Sequence, residues 1–461
     1  MADASGGTDT TTDGTPLKRV LGPVSAISIV VGSIIGVGIF LTPGGVVKAT
    51  ESGSLAMVAW IIGGVIAMLG ALCFAELGTM YTRSGGQYEI LRDSYGPLGG
   101  FLFVFCNATA IQCGVTAIIA VICAQHLGFA MTGAEPDGQW VLIIGTVVIS
   151  GLALSNIVGV KYGATIQNVT VFAKVATLIA VGALAMFAEP ATPAPYEEQT
   201  GAGTMSLLFA GFVGVYFAYG GWQHALWIGG EIKSPRKNVP LAMVGGVGLV
   251  IVVYLFANWA YLHLLGDAGV ANSRTIAAEA VSQVLPSGWA RFTALAVALS
   301  ALGVLNAQLL SGPRLLFGMA RDGKFFKPFA LPHKRFHTPI WAITLISGLG
   351  LVLLWVAGFD RVDALLAGVV MIDAVFMGLT GLAVIVLRRR RPDAERSVRV
   401  PLYPVVPILF VVGILAVIVG TFMNPDARKA ALIGAAYIAA AAVCYYAFFN
   451  KAATSDAELK T

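Results

Sequence analysis

Gly32-Ser33-Ile34-Ile35-Gly36-Val37-Gly38 sets three glycines in seven residues inside an apolar run, 24–48. Each glycine costs a helix about 1 kcal/mol relative to alanine, so the run predicts a helix broken near its middle. A second break is predicted at Phe217-Ala218-Tyr219-Gly220-Gly221-Trp222, where paired glycines interrupt the run 205–231. Irregular backbone inside a bilayer survives only where it is buried in protein or lines a wet cavity. Such breaks free N–H groups, which suit a carboxylate, and carbonyls, which suit an ammonium or a cation. For one cluster alone the alternative is close helix packing through small residues, of which Gly32 and Gly36 are an example. Two clusters at corresponding places favour a site. The first also looks like a loose dinucleotide loop, but no strand precedes it and no soluble βαβ unit surrounds it.

The rest of the chain supplies the bilayer-spanning context. Of 461 residues, 57% are apolar and 11% charged, against about a quarter charged in a soluble domain. A soluble enzyme, a disordered chain and a fibrous protein are excluded; an all-α polytopic membrane protein remains. Twelve runs are long enough to cross: 24–48, 54–81, 97–127, 139–156, 162–187, 205–231, 240–265, 290–317, 339–358, 363–387, 402–423 and 428–449. The two breaks lie five spans apart, an odd number, so spans 1 and 6 enter from opposite sides. That is the layout of a 5+5 inverted repeat with broken helices 1 and 6. The expected division is a disordered cytoplasmic tail 1–17, an inverted-repeat core 18–389, helices 11 and 12 within 390–450, and a cytoplasmic tail 451–461. With the N-terminus inside, 22 of the 29 Lys and Arg fall on the cytoplasmic side, six outside, and Lys174 within the membrane. This positive-inside bias puts both termini in the cytoplasm. The run Arg388-Arg389-Arg390-Arg391 reads as a topology anchor. The first sixteen residues have no basic start followed by an apolar core and do not read as a signal peptide. Five cysteines lie in or beside apolar runs without metal or disulfide spacing and read as packing residues.

Residues Gly32 to Gly38 with Ile39-Phe40 resemble the helix 1 signature of the amino acid–polyamine–organocation (APC) superfamily of transporters. Phe217 to Trp222, followed by Glu231 and Pro235 to Pro240, is similar to its L-type amino acid transporter branch. Ser84-Gly85-Gly86-Gln87-Tyr88 fits, as do Asn306 through Arg314 to Arg321-Asp322-Gly323 and Arg391-Pro392 with Glu395-Arg396. The resemblance covers residues 18 to about 450. It implies an amino acid bound mid-membrane, its carboxylate on the N–H groups of Val37 and Gly38 next to Gly36. Its ammonium would meet the carbonyls of Ile34, Phe217 and Gly220, with the Phe217 ring as a gate. Ser33, Ile111, Gln112 and Val115 would face the substrate side chain. Val37 departs from relatives that carry a small or hydroxyl residue there, which loses a side-chain contact but keeps the backbone one. Gln223 and His224 also differ from many relatives and are candidates for tuning substrate choice. Human-type members are disulfide-linked to a glycoprotein through a cysteine in the loop after helix 3; here that loop, 126–139, has none, so no covalent ancillary subunit is expected.

Lys174 lies thirteen residues past Lys161, about 20 Å into the membrane at ~1.5 Å per residue. A cation at that depth usually faces a cavity and a partner. By the resemblance, a helix 5 lysine stands near the break in helix 1, where sodium-coupled relatives hold an ion. It reads as a coupling residue or as a structural anchor. Asp373, also mid-span, reads as a proton site, a gate residue or a satisfied polar packing residue. Glu76 and Glu231 read as loop anchors, and Trp259, Tyr261 and His263 as an interfacial belt. No metal cluster, intramembrane protease motif or ATP-binding loop occurs, so neither an enzyme nor a cofactor or metal requirement is expected. The expectation is a multi-pass plasma (inner) membrane transporter that moves neutral amino acids by alternating access, without sodium, by exchange, and binds no nucleic acid. A proton-coupled symporter and a non-transporting amino acid sensor are the alternatives.

Overall fold

The computed structural model describes residues 21–82, 86–158, 163–191, 201–227, 229–333, 335–336, 338–359 and 361–450. Both expected tails lie outside them, as do Lys18, Arg19, Arg83, Ser84, Gly85, Lys161 and Lys334. Among the described residues the fold is helical, with one isolated bridge between Leu21 and Ile232 and no strand. The helices are α1 (Pro23–Ile34), α2 (Gly38–Thr50), α3 (Gly53–Met80), α4 (Gly86–Tyr95), α5 (Pro97–Cys106), α6 (Gln112–Thr132), α7 (Gly138–Val158) and α8 (Gly163–Ala185). After them come α9 (Thr204–Tyr219), α10 (His224–Trp227), α11 (Pro235–Asn272), α12 (Ile276–Ser282), α13 (Ser287–Arg321), α14 (Ile340–Ala357), α15 (Val362–Arg390), α16 (Val405–Met423) and α17 (Pro425–Cys444).

Ten helical segments among the described residues are long and apolar enough to cross a bilayer, eleven if α1 and α2, bent by 40°, form one span. The expected span outside this count is the fifth, 162–187, which falls on α8; its described apolar stretch is shorter, Lys174–Ala185. Helices that correspond in the two expected repeats pack on one another: α2 on α9, α3 on α11, α6 on α13, and α7 on α14. The two halves are therefore interleaved, and the breaks meet at their shared interface.

Contacts between connecting segments sort these into two faces. On one, Leu21 pairs with Glu231 and Lys233 through backbone hydrogen bonds, Arg391 meets Asp93 at 3.0 Å, and Arg390 reaches the Ser94 carbonyl at 2.8 Å. On the other, the Gly53 N–H donates to Asp267 at 2.8 Å, Arg291 to the Ala130 carbonyl at 2.9 Å, and the His263 ring meets the Ala188 carbonyl at 3.1 Å. Two local expectations change. His126 is buried within α6, so the connection after it starts at Gly133. Tyr261 is fully buried, because it lies on the inner side of α11, while Trp259 is exposed and stacks on His263.

Glu76 does anchor a loop. Its carboxylate, 1% exposed, accepts from Arg388 Nε at 2.8 Å and Nη2 at 2.6 Å, and from the Val400 N–H at 2.7 Å. Arg396 Nε adds an ion pair at 3.2 Å. Glu231 makes a looser pair with Arg314 at 3.7 Å.

Candidate substrate site

Between α1 and α2 the chain leaves the helix for three residues. Ile35 adopts φ −71°, ψ 73°, an inverse γ-turn, and the Gly36 N–H turns back to the Ile34 carbonyl at 2.7 Å. The helix restarts at Gly38, and the N–H groups of Val37 and Gly38 have no acceptor among the described residues. First-turn N–H groups at the positive end of a helix dipole form a ready anion site. In the second break, Gly220 is extended (φ −65°, ψ 159°) and Gly221 takes φ 116°, which strains any residue but glycine. The Gly221 N–H donates to the Gln223 side chain at 2.9 Å, and the Gly220 carbonyl receives no described donor.

The glycines also let the breaks touch. A Cβ on Gly221 would lie 2.4 Å from the Ser33 carbonyl oxygen, and one on Gly38 would lie 2.7 Å from the Ala218 Cα. Close packing and freed backbone groups, opposed as alternatives in the sequence, are here one arrangement. Tyr254, fully buried on α11, ties the breaks together. Its hydroxyl donates to the Ile34 carbonyl at 2.8 Å and lies 3.3 Å from that of Ala218. The Ile34 carbonyl, expected to meet an ammonium, thus already holds two donors, Tyr254 and Gly36.

One cavity of about 100 Å³ opens at this junction. Ser33, Ile34, Gly36, Val37, Gly38, Ile111, Phe217 and Gly220 all line it, as do Gln112, Val115, Gln223, His224 and Asp373. Lys174 does not. It is 2% exposed, on a helix packed against α1, α11 and α13, and its Nζ has no hydrogen-bond partner among the described residues. Asp373 accepts a 2.7 Å hydrogen bond from Tyr216. Sequence reasoning missed Tyr216, Tyr254 and the π-helical turn Asn107–Ile111 that carries two lining residues. A hydroxyl isolated in an apolar run was the only signal for Tyr254. A π-turn, which often marks functional sites, has none.

The amino acid permease family model matches residues 21–448. The chain belongs to the amino acid permease family. Within the APC superfamily it falls in the L-type amino acid transporter branch. It is 31% identical over 418 residues to the serine/threonine exchanger SteT of Bacillus subtilis (strain 168), covering 90% of this chain and 93% of that protein. It is 32% identical over 403 residues to the b(0,+)-type amino acid transporter 1 of Homo sapiens, covering 86% and 81%. The large neutral amino acids transporter small subunit 2 of Rattus norvegicus is 32% identical over 408 residues, covering 86% and 75%. This permease is an amino acid transporter of the membrane, not an enzyme.

Proposed function

We propose that this permease exchanges neutral amino acids across the plasma (inner) membrane by alternating access, without sodium. One observation carries the reading: Val37 and Gly38, whose N–H groups have no described acceptor, and Gly220, whose carbonyl has no described donor, line a single cavity at the junction of two broken helices. A zwitterion supplies the matching carboxylate and ammonium, and its binding closes both breaks. Ser33, Ile34, Gly36, Ile111 and Phe217 complete the binding set in this reading. Among the described residues the cavity lining contains no Lys or Arg, and its carboxylate, Asp373, is engaged by Tyr216, which supports a neutral substrate. Independence from sodium rests on Lys174, a buried amine on the helix that packs against α1. Both termini are cytoplasmic in this reading, residues 18–389 form the moving core, and no subunit is linked covalently.

Asp373 favours a second reading, proton-coupled symport, because it lines the cavity. Counterflow in proteoliposomes separates the two. Uptake of labelled amino acid only into amino-acid-loaded vesicles, insensitive to sodium and to a pH step, is the expected result. Concentrative uptake into empty vesicles driven by inward acid would replace exchange with symport. Binding without flux would identify a sensor.

A further inference from the structure

The same cavity carries a feature that the backbone site does not use. Asn107 and Gln112, each 2% exposed, and Gln308 all line it. The Oδ1 of Asn107 and the Oε1 atoms of Gln112 and Gln308 have no hydrogen-bond partner among the described residues. Buried amide oxygens are nearly always paired, so three unpaired on residues of one cavity need an explanation. Their neighbours sharpen the contrast. Asn306, two residues from Gln308 on α13, is matched by Asn156 at 2.8 Å. Gln223, also in the lining, is matched by the Gly221 N–H. The carboxamides left open belong to α6, α13 and the π-turn. Gly312 on α13 makes room for one of them: a Cβ there would stand 2.9 Å from the Gln112 Oε1.

We infer that Asn107, Gln112 and Gln308 form a side-chain subsite that selects amino acids bearing an uncharged hydrogen-bonding group, a hydroxyl or a carboxamide. The inference rests on the amino acid site proposed above and specifies its substrate class. A hydroxyl donates one hydrogen bond to these oxygens and a carboxamide NH2 up to two, whereas an aliphatic isostere of the same volume donates none. A purely apolar pocket would instead favour valine over threonine, since it gains nothing from the hydroxyl.

Threonine against valine and asparagine against leucine are therefore the test, read as inhibition of alanine counterflow by the unmodified permease in proteoliposomes. Threonine and asparagine are expected to inhibit at concentrations at least tenfold below those of their partners. Equal potency, or preference for valine and leucine, overturns the inference while leaving amino acid transport standing. No counterflow and no binding of any amino acid overturns both. Gln308→Leu and, separately, Gln112→Leu are expected to lower the threonine-to-valine preference at least fivefold. This within-variant ratio is unaffected by the amount of folded protein. An unchanged ratio in both variants removes the assignment to these residues, and the wild-type ratio decides the matter if neither variant folds.

Discussion

Replacing Glu76 with alanine is expected to unbalance one face of the permease. The carboxylate takes donors from Arg388, Arg396 and the Val400 N–H, all within 3.2 Å, and is 1% exposed; the Arg388 and Arg396 side chains are 20% and 3% exposed. The Arg388 guanidinium also lies over the Tyr403 ring at 4.1 Å. Removing the anion takes the counter-ion from two cations, which keep only carbonyl acceptors among the described residues, and the acceptor from the Val400 N–H, a loss of about 3–5 kcal/mol for a buried pair. Arg236–Glu395 is the control: at 2.8 Å its geometry is as short, but its side chains are 53% and 69% exposed, and such pairs contribute about 0–1 kcal/mol. At about 2 °C per kcal/mol, Glu76→Ala should lower the apparent Tm in detergent by roughly 6 °C or more, followed by tryptophan fluorescence. Glu76→Gln, which keeps the volume, should lose nearly as much, because charge and not cavity is at stake. If Glu76→Ala behaves like Glu395→Ala, the reasoning that burial multiplies this ion pair is wrong.

Other expectations follow from the breaks. Gly221→Ala should cut transport tenfold or more, since its Cβ meets the Ser33 carbonyl at 2.4 Å and its φ is 116°, strain of about 1–3 kcal/mol; Gly151→Ala, with open space around it, should leave flux unchanged. Tyr254→Phe removes the donor shared by Ile34 and Ala218 and should weaken amino acid binding by roughly 5- to 150-fold, or about 1–3 kcal/mol, measurable by scintillation proximity. Asp373→Asn keeps an acceptor for Tyr216 and should preserve exchange at every pH, whereas a proton symporter would lose its acid dependence. Lys174→Ala should slow exchange or make it sodium-sensitive; full sodium-independent flux would reduce Lys174 to an anchor.

Much of this architecture was legible because a bilayer enforces simple rules. Apolar runs of spanning length are readable one at a time, and the odd spacing of the glycine clusters implied opposite entry into the membrane. Glycine clusters are legible for the same reason, since Gly36, Gly38, Gly220 and Gly221 are poor helix formers in a medium that tolerates few breaks. What lay beyond reach depends on which helix faces which. Tyr254 is an unremarkable residue of an apolar run until α11 brings it against both breaks. Asn107 lines the cavity through a π-turn that no spacing announces, and the hydroxyl that Asp373 accepts from, that of Tyr216, lies 157 residues away in the chain. Lys174 shows the reverse difficulty: depth was legible, but its position relative to the cavity was not, because a helix face cannot be assigned from one polar residue.

The central claim is that the amino acid sits at the junction of the broken helices with its carboxylate on the restarting turn of α2. A cryo-EM structure of the permease with bound L-threonine tests it most directly. The account predicts ligand density between the breaks, the carboxylate about 3 Å from the Val37 and Gly38 nitrogens and the ammonium toward the Gly220 carbonyl. Ligand density elsewhere, with those N–H groups still without an acceptor, would contradict it.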